Sequence, residues 1–127
     1  MDIFDFTTPT AENSYCVFER KLEENPLICF HITPIENKDS IIKNGFQLRH
    51  AAGKLESISF AEKSKHCIEH RSQCYPNQEC VIFVVEFDGD IPREGLAKVN
   101  MDIYLRDENI EYTIHGYCVV PSEFEYL

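Results

Sequence analysis

The sequence predicts a single α+β domain, residues 1–127, built on a mixed β-sheet with a few flanking helices. Its 127 residues are enough for one hydrophobic core but not for two. Apolar residues make up 43% of the chain and aromatic residues 12%, which argues against a disordered protein. Segments with helical periodicity alternate with short apolar runs, and the last third of the chain is mainly strand-like. This order of elements is typical of an α+β fold.

The first part of the chain is expected to alternate helices and strands. Residues 1–9 form an irregular arm, and residues 10–25 form an amphipathic helix that ends before Pro26. The apolar run at residues 27–30 predicts a buried strand. The apolar positions that place residues 10–25 in a helix recur four, three and four apart: Ala11, Tyr15, Phe18 and Leu22.

A second helix is predicted over residues 35–44. Thr33 is suited to cap it, Pro34 to occupy its first position, and Glu36 to complete a capping box. Gly45 supplies the residue that ends the helix. Its expected buried positions are Ile35, Ile41 and Ile42.

The remaining elements are mostly strands. Residues 79–87 form the clearest of them, because an almost unbroken β-branched and aromatic run indicates that both faces are covered. Gly116 marks an expected bulge. The other predicted elements are a strand at residues 57–61, a helix at 62–73, a turn at 75–78, and strands at 97–105 and 110–120.

The charge of the chain disfavours a nucleic-acid partner. Twelve basic residues stand against 22 acidic ones, giving a net charge of −10, whereas nucleic-acid binding draws its affinity from basic residues that neutralise phosphates. No apolar run approaches the ~20 residues of a membrane span, and the acidic N-terminus is unlike a secretory signal. The six cysteines are therefore expected to be thiols of a cytoplasmic protein.

The sequence lacks the common motifs of several other enzyme classes, and its match to metal-binding patterns is weak. The sequence has no G-x-S-x-G nucleophile turn, no Walker loop and no G-x-G-x-x-G. A Cys29/His31 pair is formally possible, but Cys29 has apolar neighbours and fits a core position better. A zinc site remains an alternative, although its spacing matches no zinc-finger pattern. Its candidate ligands are His66, Cys67, His70 and Cys74.

Three motifs, in order, resemble the ADP-ribosyltransferase family that includes the poly-ADP-ribose polymerases and diphtheria toxin. The first is the run 30–33, Phe-His-Ile-Thr, with a following helix that ends in Gly-Phe. The second, residues 58–62 (Ile-Ser-Phe-Ala-Glu), resembles the polymerases' Ile-Tyr-Phe-Ala-Asp strand. The third, residues 110–114 (Ile-Glu-Tyr-Thr-Ile), resembles the strand that carries the family's catalytic glutamate. Together they cover about residues 27–120.

The resemblance implies cleavage of the nicotinamide–ribose bond of NAD through an oxocarbenium-like transition state. It implies that His31 donates a hydrogen bond to a ribose hydroxyl and that Glu111 stabilises the developing positive charge or acts as a base. Thr33 would lie near the adenine-side ribose, and Arg49 or His50 near the pyrophosphate. The other implied NAD-binding residues are Ser57, Ser59 and Phe60.

Two departures from the family pattern bear on specificity. Ser59 stands where the polymerases have a tyrosine that stacks on nicotinamide. In one alternative, Phe60 or a tyrosine elsewhere takes over this stacking. In the other, Ser57 and Ser59 form the Ser-x-Ser pattern of some toxins. Asn109 stands where arginine- and asparagine-modifying toxins have Glu or Gln, which disfavours arginine as the acceptor.

The resulting hypothesis is a small cytoplasmic ADP-ribosyltransferase that uses NAD as a substrate. Its acceptor is expected to be a protein rather than a nucleic acid, and such a domain would suit a toxin or effector delivered into a target cell. Two alternatives stay open: a non-catalytic module with the same fold, and a zinc-stabilised interaction domain.

Overall fold

A seven-stranded mixed sheet organises the protein, and the predicted α+β class is confirmed. The computed structural model describes residues 1–47, 50–51, 54–55, 58–87, 96–99, 102–105 and 110–124. The strands are β1 (Asp2–Phe4), β2 (Ile28–Pro34), β3 (His50–Ala51), β4 (Lys54–Leu55), β5 (Ile58–Ala61), β6 (Cys80–Phe87), β7 (Leu96–Val99), β8 (Asp102–Leu105) and β9 (Tyr112–Val120). The α-helices are α1 (Arg20–Glu23), α2 (Lys38–Asn44) and α3 (Ser64–Cys74), and 3-10 turns lie at Ala11–Asn13 and Ile35–Asn37.

The strand order across the main sheet is β1-β9-β6-β2-β5-β8-β7. β1 runs parallel to β9, and the other neighbouring strands pair antiparallel. The short strands β3 and β4 form a separate antiparallel ribbon. The sheet therefore joins the two ends of the described chain, since its first and last strands pair with each other.

Side chains cover both faces of the central strand β6, and this coverage accounts for its nearly unbroken apolar sequence. One side of the sheet, called here the α3 face, packs Ile82 and Val84 against Ile68 of α3. The other side, called the α2 face, packs Phe83 and Phe87 into a second cluster that includes Ile41. All residues of β6 except Glu86 are fully buried, as the nearly unbroken apolar run predicts.

Two predicted helices are confirmed with small changes of boundary. The helix expected over residues 35–44 consists of the 3-10 turn Ile35–Asn37 followed by α2, and Gly45 ends it with a φ of 74°. Ile42 is 40% exposed and is not part of the core. α3 begins two residues later than predicted and ends one residue later, at Cys74.

The long helix predicted over residues 10–25 is wrong. Only the 3-10 turn Ala11–Asn13 and the four-residue α1 are helical, and Ser14 and Tyr15 have left-handed φ values of 56° and 61°. The three consecutive residues Cys16, Val17 and Phe18 are all buried, which one face of a helix cannot achieve. Burial against the α3 face therefore overrides the helical spacing.

The predicted cap at Thr33 is also wrong, because β2 continues to Pro34. Thr33 lies opposite Val81 in the sheet, and its Oγ1 accepts a hydrogen bond from Asn37 Nδ2 at 2.9 Å. No side-chain cap is formed at Pro34, and the next amide, that of Ile35, donates to the Glu79 carbonyl at 3.0 Å.

The N-terminal arm is not irregular throughout, since it contains β1. This strand approaches β9 so closely that a Cβ at Gly116 would lie 2.2 Å from the backbone oxygen of Asp2. The predicted bulge lies next to this glycine: Val84 pairs with Gly116 and Val85 with Ile114, which leaves His115 without a register partner. The single strand predicted at residues 97–105 is instead the antiparallel pair β7 and β8.

Arg71 of α3 fastens the end of the described chain to the α3 face. The side chain is 2% exposed, and its guanidinium donates hydrogen bonds of 2.8 to 3.2 Å to backbone carbonyl oxygens. The accepting carbonyls belong to Gln78, Pro121, Ser122 and Phe124. In the described part of the chain, no helix is long and apolar enough to cross a membrane.

Candidate functional site

His31 lies within β2 rather than at its end, on the α2 face opposite Phe83. Its half-buried ring lies between two aromatic rings, with centroid distances of 5.1 Å to Phe46 and 5.3 Å to Phe60. The strand predicted at residues 27–30 therefore ends too early, because β2 extends three residues beyond His31.

The hydrogen bond of His31 fixes which ring nitrogen carries the proton. Nδ1 lies 2.7 Å from the backbone carbonyl oxygen of Ser59. Because a carbonyl oxygen can only accept, Nδ1 is the donor. Desolvation lowers the pKa of His31 to about 4, against a smaller raising effect of the Ser59 bond.

At neutral pH the imidazole is therefore uncharged, and its Nε2 carries a lone pair. A ribose hydroxyl that met this nitrogen would donate the hydrogen bond, and His31 would accept it. The donor role that the family resemblance implies for His31 at the ribose is thus reversed by the local structure.

Phe46 is the centre of an aromatic cluster on the α2 face. Its ring centroid lies 5.1 Å from those of His31 and Phe60, 5.9 Å from that of Phe83 and 5.5 Å from that of Tyr112. These distances and tilted geometries are typical of favourable aromatic contacts. The cluster brings together residues from all three motifs that resemble the ADP-ribosyltransferases, although the motifs are far apart in the chain.

Glu111 is exposed and directly precedes β9. Tyr112, the next residue, lies opposite Phe87, whereas His31 lies opposite Phe83 and, one strand further, Tyr117. Four positions along the sheet and two strands across correspond to roughly 16 Å between the Cα atoms of His31 and Tyr112.

Among the described residues, neither a hydrogen bond nor an ion pair joins His31 to Glu111. Only a molecule that spans the aromatic cluster could touch both side chains.

The other predicted binding residues divide into three groups. Thr33 and Phe60 share the α2 face with His31, and Thr33 is buried. Ser59 contributes its carbonyl, but its side chain is exposed on the opposite face, because side chains alternate and both Ile58 and Phe60 pack on the α2 face. Arg49 and Ser57 lie outside the described residues. Of the suggested pyrophosphate partners, His50 is described only as part of β3.

The Ser59 hydroxyl therefore lies on the face of the sheet opposite the His31 ring. Sequence reasoning missed two members of the cluster, Phe46 and the hydroxyl of Tyr112. The signals that could have found them are the Gly45-Phe46 pair directly after a helix and the tyrosine directly after the predicted catalytic carboxylate.

A cavity of about 720 Å³ lies elsewhere, between residues 7–24 and the start of α3. It contains none of the predicted site residues, and it adjoins the α3 face through Val17 and Phe18. Its lining mixes both signs of charge, including Glu12, Glu19, Lys63 and Lys65. The amide of Ser64 at the start of α3 is not available to an anion, because it already donates to the carboxylate of Glu23 at 2.9 Å.

The four candidate zinc ligands do not converge. Cys67 is buried on the α3 face, and His66 Nδ1 lies 3.4 Å from a carboxylate oxygen of Glu69. His70 Nδ1 and Cys74 Sγ form a separate contact of 3.8 Å. Within the described ranges, no group of three or more His, Cys, Asp and Glu side chains is arranged to hold a metal ion.

Comparisons with protein-family models, with curated proteins and with solved structures found no match to this chain.

Proposed function

We propose that this protein is an ADP-ribosyltransferase that binds NAD over the aromatic cluster of the α2 face. It would cleave the bond between nicotinamide and ribose and transfer ADP-ribose to a protein, or to water. One observation carries the proposal: His31, Phe60 and the Tyr112 that follows Glu111, which come from three separate motifs, all surround Phe46.

His31 is suited to orient the sugar rather than to transfer a proton. Its neutral ring offers Nε2 as an acceptor for a ribose hydroxyl, while Nδ1 is held by the Ser59 carbonyl. An uncharged imidazole also avoids repulsion with the positive charge that develops on the ribose in the transition state. The apolar rings of Phe46 and Phe60 would exclude water and offer a flat surface to nicotinamide.

Glu111 supplies the negative charge that the reaction needs. As a carboxylate it would stabilise the oxocarbenium-like sugar, and it could accept a proton from an attacking nucleophile. Its position before β9 is exposed, but both of its neighbours, Ile110 and Tyr112, pack on the α2 face, so the proposal requires the backbone before β9 to turn the carboxylate toward the cluster. Since both groups are proposed to act on one ribose, the His31 and Glu111 side chains must also meet across the roughly 16 Å that separates the Cα atoms of His31 and Tyr112.

The acceptor is proposed to be a protein. A net charge of −10 favours encounter with basic partners and opposes approach to nucleic acids. The departure from the family pattern at Asn109 argues against arginine as the modified residue.

Nicotinamide release from NAD tests the proposal. Glu111→Gln keeps the size of the side chain and removes its charge, so release should fall by more than about 100-fold, the scale of losing one preorganised electrostatic stabiliser. Glu123→Gln is the matched control, because Glu123 is an exposed carboxylate beyond the far end of β9. Equal rates in the parent and in Glu111→Gln would exclude Glu111 as the catalytic residue.

The His31→Asn variant separates the roles of the two imidazole nitrogens. The asparagine amide can still donate toward the Ser59 carbonyl, but it offers no acceptor at the position of Nε2. Turnover should therefore fall by about tenfold while the fold is retained. Unchanged turnover in this variant would remove His31 from the site.

A non-catalytic module is the second candidate, and the lack of direct contact between His31 and Glu111 favours it. Calorimetry of NAD and of ADP-ribose, run beside the release assay, distinguishes the two functions. Binding without nicotinamide release would support the module, and release that depends on Glu111 would support the enzyme.

A further inference from the structure

We propose that Tyr112 is a positioning residue, whose hydroxyl holds the segment after α2 against the start of β9. This inference rests on the proposed function of the same site and adds a residue that acts through its neighbours. The deciding contact is a hydrogen bond of 2.7 Å from the backbone amide of Phe46 to the Tyr112 hydroxyl oxygen. It joins two parts of the chain that are 66 residues apart.

The contact satisfies an amide at the point where α2 has ended. The Gly45 amide closes the helix by donating to the Ile41 carbonyl at 2.8 Å. The next amide, that of Phe46, belongs to a residue that is 7% exposed, and a buried backbone donor without a partner is costly. The Tyr112 hydroxyl provides that partner from another strand.

Gly45 makes the close approach of Tyr112 possible. A Cβ at this position would lie 2.5 Å from the Tyr112 hydroxyl oxygen, and the φ of 74° is one that L side chains rarely adopt. The glycine therefore serves two purposes, ending α2 and leaving room for the hydroxyl.

The hydrogen bond between the Phe46 amide and the Tyr112 hydroxyl, called here the clamp, connects both sides of the proposed NAD site. On one side, the Phe46 ring packs edge-on against His31, at a centroid distance of 5.1 Å and an angle of 77°. On the other side, Tyr112 is the residue directly after Glu111. Loss of the hydroxyl would let Phe46 move relative to both groups, without removing any group that is proposed to touch NAD.

Tyr112→Phe tests the clamp, because it removes the hydroxyl and keeps the ring. Tyr117→Phe is the matched control: Tyr117 is a half-buried tyrosine of the same strand that also packs on the α2 face, and in the described structure its hydroxyl makes no hydrogen bond. The first readout is hydrogen exchange at the Phe46 amide, followed by NMR, which should be at least about tenfold faster in Tyr112→Phe and unchanged in Tyr117→Phe.

The second readout is the kinetics of nicotinamide release. A positioning role predicts that kcat falls by roughly three- to tenfold while KM changes by less than about twofold. Loss of general stability would instead reduce the active fraction, which the thermal unfolding curve of each variant reports.

The outcomes separate the two proposals. Unchanged exchange at Phe46 in Tyr112→Phe overturns the clamp, whatever the activity. Faster exchange with unchanged kcat overturns the positioning role and leaves the proposed function standing. If the parent releases no nicotinamide, the proposed function fails and the positioning role fails with it, whereas the exchange result still decides whether the clamp exists.

Discussion

His31 couples the aromatic cluster to pH. Desolvation lowers its pKa from 6.5 to about 4 in the folded protein, so the folded state favours the neutral ring. The unfolded chain has no such burial and regains an ordinary imidazole. Between about pH 6.5 and about pH 4 the unfolded state therefore binds more protons than the folded state does.

The free energy of unfolding should consequently fall as the pH is lowered through this window. The full effect of His31 is at most about 3.5 kcal/mol, because the pKa falls from 6.5 to about 4 and each pKa unit corresponds to about 1.4 kcal/mol. Urea denaturation at about pH 7.5, about pH 5.5 and about pH 4.5 measures it.

His31→Asn is the control for this pH dependence. It retains a donor for the Ser59 carbonyl but does not titrate, so its unfolding free energy should change less across the same window. All other titrating groups are common to both proteins and cancel in the difference. Parallel pH curves for parent and variant would show that the His31 ring is not held in its neutral form by folding.

The site could be predicted from sequence only in part, for reasons visible at single residues. The resemblance placed His31 and Phe60 in one site because each belongs to a short motif, and the structure packs their rings together. The side of the sheet on which the Ser59 hydroxyl lies could not be predicted, because it depends on strand register. The Tyr112 hydroxyl bond was missed because it joins segments that no local pattern connects.

At the level of helices and strands, the sequence correctly predicted those elements whose burial or end point is determined by neighbouring residues in the chain. The apolar run of β6 and the glycine after α2 are examples, and both agree with the structure. The segment 10–25 is the opposite case, since its helical spacing is overridden by distant contacts. The Val17 amide donates to Ser64 Oγ at 2.8 Å, a bond that only the folded chain can form.

The start of α3 depends on Glu23, a carboxylate from outside the helix. The Lys63 side chain provides no cap there; the Ser64 amide and hydroxyl instead donate to the two oxygens of Glu23, at 2.9 and 2.5 Å. Glu23 is 5% exposed, and its charge complements the positive end of the helix dipole.

Glu23→Ala should destabilise the protein by about 2–3 kcal/mol, because it leaves the buried Ser64 donors unpaired and removes a favourable charge. Urea denaturation at neutral pH measures the loss. Glu24→Ala is the control: this neighbouring carboxylate forms an exposed ion pair with Arg20, and its removal should have a much smaller effect. Equal losses in both variants would contradict the capping role of Glu23.

At the scale of the whole molecule, the fold class was predictable but the strand order was not. Alternating helical and apolar segments favour an α+β fold, and that class is found. The parallel pairing of β1 with β9 joins segments from opposite ends of the chain, and it depends on the room that Gly116 leaves for Asp2. Such long-range pairing leaves no local periodicity in the sequence.

The packing of the two faces also sorts the six cysteines by reactivity. All six lie in the described part of the chain and are thiols rather than disulfides; five are buried and only Cys74, at the end of α3, is exposed. Burial raises the pKa of the Cys16 and Cys80 thiols and that of Cys118 to about 12, so these groups are both inaccessible and protonated. Thiolates are the reactive species, and a buried thiol gains reactivity only when the surrounding layer opens.

A colorimetric disulfide reagent should therefore modify one thiol per native chain rapidly at neutral pH, and six after unfolding in denaturant. The five slow thiols should react at rates that follow global unfolding, since four of them belong to the core clusters of the two faces: Cys29, Cys67, Cys80 and Cys118. Cys74→Ser is the control and should abolish the rapid phase alone. Rapid modification of two or more thiols in the native protein would mean that one face of the sheet opens without unfolding of the other, and the two layers would then not form one cooperative unit.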